Sequence, residues 1–175
     1  RKNFNAGDRI DIGLTAYEIF KDFDLIKDHY GPFWEYGSKL NDADQLNSLA
    51  IFIHQHGDWD SSKRLCEKAL RLYTKTKNEA GMAQTYNNLG LVYQAKGEWD
   101  KAVEFYNKSL ETFEKVGDIH GMAQTWGNLG NVLFMKGEHK TAVRLVHQCV
   151  LILHQIGDTP NEEIARNIMG GFIQE

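Results

Sequence analysis

The stretch GMAQTYNNLG at residues 81–90 returns as GMAQTWGNLG at residues 121–130, and this repetition decides how the chain is organised. Eight of the ten residues are identical, and the two copies are forty residues apart. A period of this length indicates one small structural unit stacked on copies of itself, with a core that continues from unit to unit. Stacked units form a long concave surface, which favours binding over catalysis.

A second motif keeps the same period. GDWD begins at Gly57, GEWD begins at Gly97, and the weaker match GEHK begins at Gly137. Glycine commonly ends a helix because it has no β-carbon to clash in a left-handed turn. The acidic residues that follow favour the positive end of the next helix dipole. Each period is therefore interpreted as two helices joined by a glycine turn.

Apolar residues within each period recur at helical spacing, as Ala83, Tyr86 and Leu89 do in one helix. The same spacing marks the other helices, which we predict at 42–56, 59–75, 81–96, 99–116, 121–136, 139–156 and 161–174. Gly90 and Gly130 fall inside helices, where glycine costs about 1 kcal/mol relative to alanine. We expect close packing against Ala102 and Ala142 of the partner helices to offset that cost.

The period divides the chain into three repeats and two ends. The predicted repeats are 41–80, 81–120 and 121–160. Residues 1–40 do not follow the period, and we expect them to form a divergent helical cap. Residues 161–175 either cap the stack or begin a truncated fourth repeat, because Gly170 keeps the register of Gly90 and Gly130.

Composition limits the function classes. The 175 residues are 42% hydrophobic, which is enough for a core, and the net charge of −4 argues against a nucleic-acid partner. No apolar run reaches about 18 residues and no signal peptide precedes the repeats, so we expect a cytoplasmic chain without a membrane partner. Cys66 and Cys149 have no metal-site spacing and are expected to be buried thiols. The first residue is not Met, so we expect either a piece of a longer chain or a processed one.

The order of small, aromatic and glycine positions resembles the tetratricopeptide repeat. In the second repeat these positions are Ala83, Tyr86, Leu89, Gly90, Tyr93, Ala102 and Tyr106. In the third repeat they are Ala123, Trp126, Leu129, Gly130, Leu133, Ala142 and Val146. The resemblance implies an all-α fold, a right-handed superhelical solenoid of antiparallel helix pairs.

The usual period of that family is about 34 residues, so each helix here is nearly one turn longer. The longer variety is similar to the repeats of kinesin light chains, of polarity scaffolds, and of the sensor regions of STAND signal-transduction ATPases. Residues 23–34 resemble the entry from such an ATPase core into its repeats. No phosphate-binding loop of the form GxxxxGK[ST] occurs, so any ATPase would lie outside this chain.

The resemblance further implies that the first helix of each repeat lines a concave groove. The candidate partner-binding residues are Gln84, Asn87, Asn88, Leu91, Gln94, Gln124, Asn128, Asn131, Phe134, Asn47 and His54. Side-chain amides both donate and accept hydrogen bonds, which suits an extended peptide backbone. Alternatively, the amides bridge neighbouring helices, and Leu91 and Phe134 belong to the core.

Other residue types offer no chemistry. His54 and His56 point to different sides of a helix, and no HExxH or comparable cluster occurs, so we predict no metal, no cofactor and no catalytic residue. Trp59, Trp99 and Trp126 are interpreted as packing residues.

The sequence therefore predicts a non-catalytic scaffold module that captures a protein or peptide segment, as part of a larger signalling or sensor protein. The alternative is a self-association module, in which repeats stack end to end between chains and make a homo-oligomer.

Overall fold

The computed structural model describes residues 39–173. The expected cap at residues 1–40 lies outside this range apart from its last two residues, and so does the segment at 23–34 that resembles the entry from an ATPase core.

Within the described range the chain forms seven α-helices and no strand, which confirms the predicted all-α fold. The helices are α1 (Ala43–Gln55), α2 (Trp59–Thr76), α3 (Glu79–Ala95), α4 (Trp99–Val116), α5 (Ile119–Met135), α6 (His139–Gln155) and α7 (Thr159–Ile173). None of these helices is both long enough and apolar enough to cross a lipid bilayer.

Three helices begin two residues earlier than the sequence predicts, namely α3, α5 and α7. The side-chain oxygens of Asn78, Asp118 and Asp158 accept hydrogen bonds from backbone N–H groups three residues later, at 3.0, 2.9 and 3.3 Å. An Asx side chain in this position satisfies a free donor of the first turn, so the helix begins directly after it.

Left-handed backbone closes the turns between the helices. Five turn glycines have positive φ: Gly57, Gly97, Gly117, Gly137 and Gly157. Lys77, with φ of 56°, takes this conformation at the end of α2 and is the one non-glycine residue between 39 and 173 that does so. The forty-residue glycine pattern therefore sets where the helices stop.

Two compact units divide the chain, one ending at Gly81 and the other beginning at Met82. In the first unit, α1 packs against α2, with Leu46, Leu49 and Ile53 buried. Ser62 Oγ of α2 donates a hydrogen bond of 2.7 Å to the carbonyl oxygen of Ala50, which joins the two helices inside the core.

In the second unit, the mid-helix Gly90 packs against an aromatic ring. A β-carbon built on Gly90 would lie less than 3 Å from three carbon atoms of the Tyr106 ring. The predicted partner, Ala102, is also buried, but the closest side chain is one turn further along α4. The side chain nearest to Gly90 is therefore a large ring, and the expected contact with Ala102 stays a prediction.

A repeated hydrogen bond joins the two helices of each pair in the second unit. Ser109 Oγ of α4 donates to the carbonyl oxygen of Ala83 at 2.9 Å, and Cys149 Sγ of α6 contacts the carbonyl oxygen of Ala123 at 3.6 Å. The two donor residues are forty residues apart, and so are the two acceptor residues, so the period extends to individual contacts. Ser109 Oγ also lies 3.2 Å from Thr125 Oγ1, which ties α5 to the same point.

The burial of the tryptophans and cysteines can be compared with the expectation that all of them pack inside the fold. Trp99 and Trp126 are partly buried and pack against core clusters, whereas Trp59 keeps 39% of its surface exposed and packs less than predicted. Cys66 and Cys149 are both buried and free. Burial raises the pKa of the Cys66 thiol to about 12 and that of Cys149 to about 11.

Candidate functional site

A cavity of about 600 Å³ opens between α3, α5 and α7 of the second unit. Amide and imidazole side chains from three helices line part of it: Gln84, Gln124, Asn128, Asn161 and His120. Asp118 adds a carboxylate, and most of the remaining lining is apolar: Ala123, Cys149, Leu153, Ile164, Ala165 and Ile168. We call it the Asn128 cavity. Its lining can accommodate an apolar side chain of a ligand and can form hydrogen bonds with a ligand's peptide backbone.

A second cavity, of about 620 Å³, is formed by the C-terminal halves of the same three helices and the first residue of α4. Its lining includes Gln94, Trp99, Asn131, Phe134, Met135, Asn167 and Ile168. We call it the Asn131 cavity. Ile168 lines both cavities, so they adjoin across this side chain.

A hydrogen bond between two asparagines orients the amide in the first cavity. Asn128 Nδ2 donates to Asn87 Oδ1 at 3.1 Å, which joins α5 to α3. Among the described residues this is the one hydrogen bond of the Asn128 side chain, so its oxygen remains available as an acceptor. Asn87 is fully buried, and its own Nδ2 has no partner within the described range.

Two glutamines of α3 make contacts inside the unit. Gln84 Nε2 lies 3.4 Å from Asn88 Oδ1, one turn along the same helix. Gln94 Oε1 accepts a hydrogen bond of 2.6 Å from the Tyr106 hydroxyl of α4. The amides thus have a structural role as well as a place in the cavities, which matches the alternative left open by the sequence.

Polar contacts of Asp158 and Glu162 hold α7 where it forms one wall of the Asn128 cavity. His120 Nδ1 lies 2.7 Å from Asp158 Oδ2, and His154 Nδ1 lies 3.1 Å from Glu162 Oε2. Arg166 Nη2 lies 2.6 Å from Glu162 Oε1. Hydrogen bonds from Asn161 and Arg166, in turn, hold the pKa values of Asp158 and Glu162 below their usual range, because they stabilise the charged carboxylates.

Within the described residues, no lysine or arginine lines either cavity. Residues 39–173 also contain no group of three or more His, Cys, Asp or Glu side chains placed to hold a metal ion.

The family model for the tetratricopeptide repeat matches residues 43–115. These residues are tetratricopeptide repeats. Such repeats typically serve as non-catalytic scaffolds that bind other proteins. No curated protein matches the sequence.

Solved structures with tetratricopeptide-like repeats share the fold. Nearly identical TPR-like repeats described as those of a Podosopora anserina kinesin light chain match with a TM-score of 0.69 and 16% identity, covering 95% of this chain and 84% of that one. A point variant of that protein gives a TM-score of 0.72 and 15% identity, with coverage of 98% and 88%. BtubC (BKLC) from P. vanneervenii matches with a TM-score of 0.58 and 19% identity, and the match covers 95% of this chain and 71% of that one.

The eleven residues predicted to bind a partner are distributed unevenly over the two units. Those that line a cavity are Gln84, Gln124 and Asn128 in the first, and Gln94, Asn131 and Phe134 in the second. Asn87 and Asn88 are buried, and Leu91 packs against a core cluster. Asn47, which is buried, and His54, which is half-buried, lie on α1 of the other unit.

The sequence prediction missed the groove residues of α7. Ile164 and Ile168 line the Asn128 cavity and stand forty residues after Gln124 and Asn128. Reading the period one step further would have found them. Gly127 faces Ile168, since a β-carbon built on it would lie 3.5 Å from the Ile168 Cδ1 atom.

His54 gives the first unit a pH-dependent stability. Burial lowers its pKa, and its Nδ1 atom is buried with no partner in the described range. As the pH falls through about 6.5, the imidazole of the unfolded chain gains a proton before that of the folded chain. We expect the wild type to lose more stability between pH 8 and pH 5 than His54→Gln, in urea unfolding.

If His54→Gln and the wild type lost stability equally, burial of His54 would not be the cause.

Proposed function

We propose that the second unit binds an extended segment of a partner protein across the Asn128 and Asn131 cavities. The observation that supports this most directly is Asn128, whose nitrogen is held by Asn87 and whose oxygen is left for a ligand. A fixed acceptor beside an apolar floor suits a peptide N–H group followed by an apolar side chain.

Two adjoining cavities favour an extended segment over a single small molecule. Each provides half-buried amides together with apolar walls, and Ile168 separates them. One peptide hydrogen bond contributes about 0.5–1.5 kcal/mol net, so one cavity alone holds a segment weakly. A segment that places one apolar side chain in each cavity, with its backbone on Asn128 and Asn131, uses both.

The charges of the lining indicate the character of the partner segment, since Asp118 is its one carboxylate among the described residues. With no lysine or arginine in either described cavity wall, an acidic segment gains no ion pair there. We therefore propose recognition through amide and apolar contacts. Such binding should depend weakly on salt, in contrast to binding through charges.

The wider setting is also a proposal. The resemblance of the long repeats to sensor regions of STAND ATPases supports a place in a larger signalling or sensor protein of the cytoplasm. The full-length sequence tests this, since an ATPase or effector domain should accompany the repeats.

A peptide selection tests the binding site. A random twelve-residue phage library would be selected on the whole chain, and the recovered peptides labelled for fluorescence anisotropy. We expect Asn128→Ala to weaken binding by roughly 2- to 12-fold, the equivalent of one hydrogen bond. Ile168→Ala should weaken it further, because both cavities lose a wall. Binding should change less than about twofold between 50 and 500 mM salt.

Arg144→Ala provides the control, since Arg144 is exposed on α6 and lines neither cavity. It should bind the selected peptides as the wild type does. Peptides that bind Asn128→Ala, Ile168→Ala and Arg144→Ala equally would place the binding site elsewhere.

A further inference from the structure

Four basic side chains follow one another along a single side of α2. They are Arg64, Lys68, Arg71 and Lys75, spaced four, three and four residues apart. In an α-helix this spacing keeps them within roughly 60° of the circumference, over a length of about 16 Å. Arg64, Arg71 and Lys75 are exposed, and Lys68 is half-buried. We call this surface the α2 stripe.

The equivalent side of α4 shows that the repeat does not require four cations. Forty residues after the α2 stripe stand Glu104, Lys108, Glu111 and Lys115. Lys108 pairs with Glu104 at 2.5 Å, and Lys115 pairs with Glu111 at 3.2 Å. In α2 an arginine takes the place of each of these glutamates, so charges that neutralise one another in α4 are all of one sign in α2.

The like charges of the α2 stripe act against the stability of its helix. Cations three or four residues apart on a helix repel one another instead of pairing. Burial and, second, the charge of Arg71 lower the pKa of Lys68, so the repulsion reaches the Lys68 ammonium group. Arg71 and Lys75 make no ion pair with any described residue. An anionic ligand on the stripe would therefore relieve a repulsion that the helix otherwise has to tolerate.

Neighbouring helices leave this side of the second helix of a repeat open. In the second unit, α3 and α4 precede α6, and α7 follows it. The residues of α6 at the four equivalent positions are nonetheless all exposed: Arg144, Gln148, Leu151 and Gln155. The four equivalent side chains of α4 keep 46% to 69% of their surface exposed. The exposure of the α2 stripe therefore follows from its place in the repeat, and further repeats before or after it would leave it accessible.

We propose that the α2 stripe binds an acidic segment of a partner protein, whose carboxylates recur at intervals of three or four residues. Charge complementarity supports this occupant, because a carboxylate can accept two parallel hydrogen bonds from an arginine such as Arg64 or Arg71. The stripe belongs to the first unit and the proposed groove belongs to the second, so the two surfaces use different residues.

Two other anionic partners fit the α2 stripe less well. A helix that binds a lipid surface carries apolar side chains that insert beside its cations. Trp59, the exposed large apolar residue of α2, lies on roughly the opposite side of the helix. A nucleic acid extends beyond the stripe. Because α2 carries five basic and two acidic residues, a charge of +3 in a chain of net charge −4, the remaining residues carry −7 and repel a long polyanion.

A peptide library tests the proposal. Its fifteen-residue members carry glutamate or aspartate at four positions, spaced as the cations of the α2 stripe are, and random residues elsewhere. Phage selection on the whole chain would recover binders, and fluorescence anisotropy of the labelled peptides would measure their affinity. We expect saturable binding that weakens by more than about tenfold between 50 and 500 mM salt, because salt screens charges exposed to solvent.

The double variant Arg64→Glu, Arg71→Glu is decisive. It gives α2 the alternating charges of α4, so the helix should stay folded, and circular dichroism checks this. The acidic peptides should bind it more than about tenfold more weakly than the wild type. The matched control is Lys108→Glu, Lys115→Glu, which makes the same change in net charge on α4. It should weaken binding by less than about threefold, since the exposed charges of α4 act only at a distance.

Three results would overturn the proposal. These are a selection that enriches no acidic peptide, equal binding of the peptides to the two double variants, and binding that does not depend on salt. Phosphatidylserine vesicles and a single-stranded oligonucleotide distinguish the occupant. If either binds the wild type more tightly than the acidic peptides do, and only Arg64→Glu, Arg71→Glu abolishes that binding, the stripe binds phosphate groups and the proposed protein partner is wrong.

Discussion

Tyr106→Ala is expected to lower the free energy of unfolding by about 3–5 kcal/mol, the range for removal of a buried aromatic side chain. The Tyr106 side chain has no exposed surface, and its ring lies in the core cluster shared by α3, α4, α5 and α6. Gly90 has no side chain to move into the space that the ring would leave. The cavity therefore stays open. Urea unfolding followed by circular dichroism measures the loss.

Two control variants distinguish the contribution of the buried Tyr106 ring from that of its hydroxyl group and from that of a half-buried ring. Tyr106→Phe removes the bond to Gln94 and should cost about 0.5–1.5 kcal/mol. Phe105→Ala removes a ring of similar size that is only half-buried, and it should cost less than Tyr106→Ala. A loss below about 1 kcal/mol for Tyr106→Ala would mean that the repeat repacks around the gap.

Gly90→Ala should destabilise the chain although alanine is the better helix former. The added methyl group would lie less than 3 Å from the Tyr106 ring, so the ring or the helix must shift. Overpacking of this kind costs about 1–3 kcal/mol, against a gain in helix propensity of about 1 kcal/mol. We expect a net loss, measured by thermal and urea unfolding.

Gly127→Ala is the matched substitution in the next repeat. Its methyl group would lie 3.5 Å from Ile168 Cδ1, which is an ordinary van der Waals contact. Gly127 is also in a helix, so the propensity gain remains and stability should rise or stay level. Opposite signs for the two variants would show that the contact with Tyr106 decides the outcome. The same sign for both would contradict that reading.

The period of forty residues was sufficient to predict the helices, because a repeated apolar pattern and a repeated turn glycine constrain the chain at many positions together. Gly97 and Gly137 end their helices in the left-handed conformation, as predicted. The Asx caps at Asn78, Asp118 and Asp158 were not predicted. As a result, the predicted starts of three helices are two residues too late.

Side-chain partners were less predictable than helices. The sequence pairs Gly90 with Ala102, since both are small, yet a ring reaches Gly90 from one turn away. Likewise, Asn87 and Asn88 fit the groove-facing pattern of a helix, and both are buried. Side chains a turn apart share a helix face, so periodicity cannot distinguish a residue that lines the groove from one that joins two helices.

The site residues that line the two cavities remain predictions as binding residues. Asn128 and Asn131 combine partial exposure with a place in a cavity wall, which makes them the sharpest candidates for substitution. Ile168 was missed, although it stands forty residues after Asn128 and the period alone would have placed it.

The two buried thiols provide one internal reporter for each half of the molecule. Cys66 belongs to the unit that ends at Gly81, and Cys149 belongs to the unit that follows. Alkylating reagents react with the thiolate, and burial disfavours that form at both positions. Modification of Cys66 therefore requires its own unit to open, and its rate of alkylation, resolved by mass spectrometry, would report that opening without any added label. Cys149 also lines the Asn128 cavity, so its rate of alkylation would report access to that cavity as well.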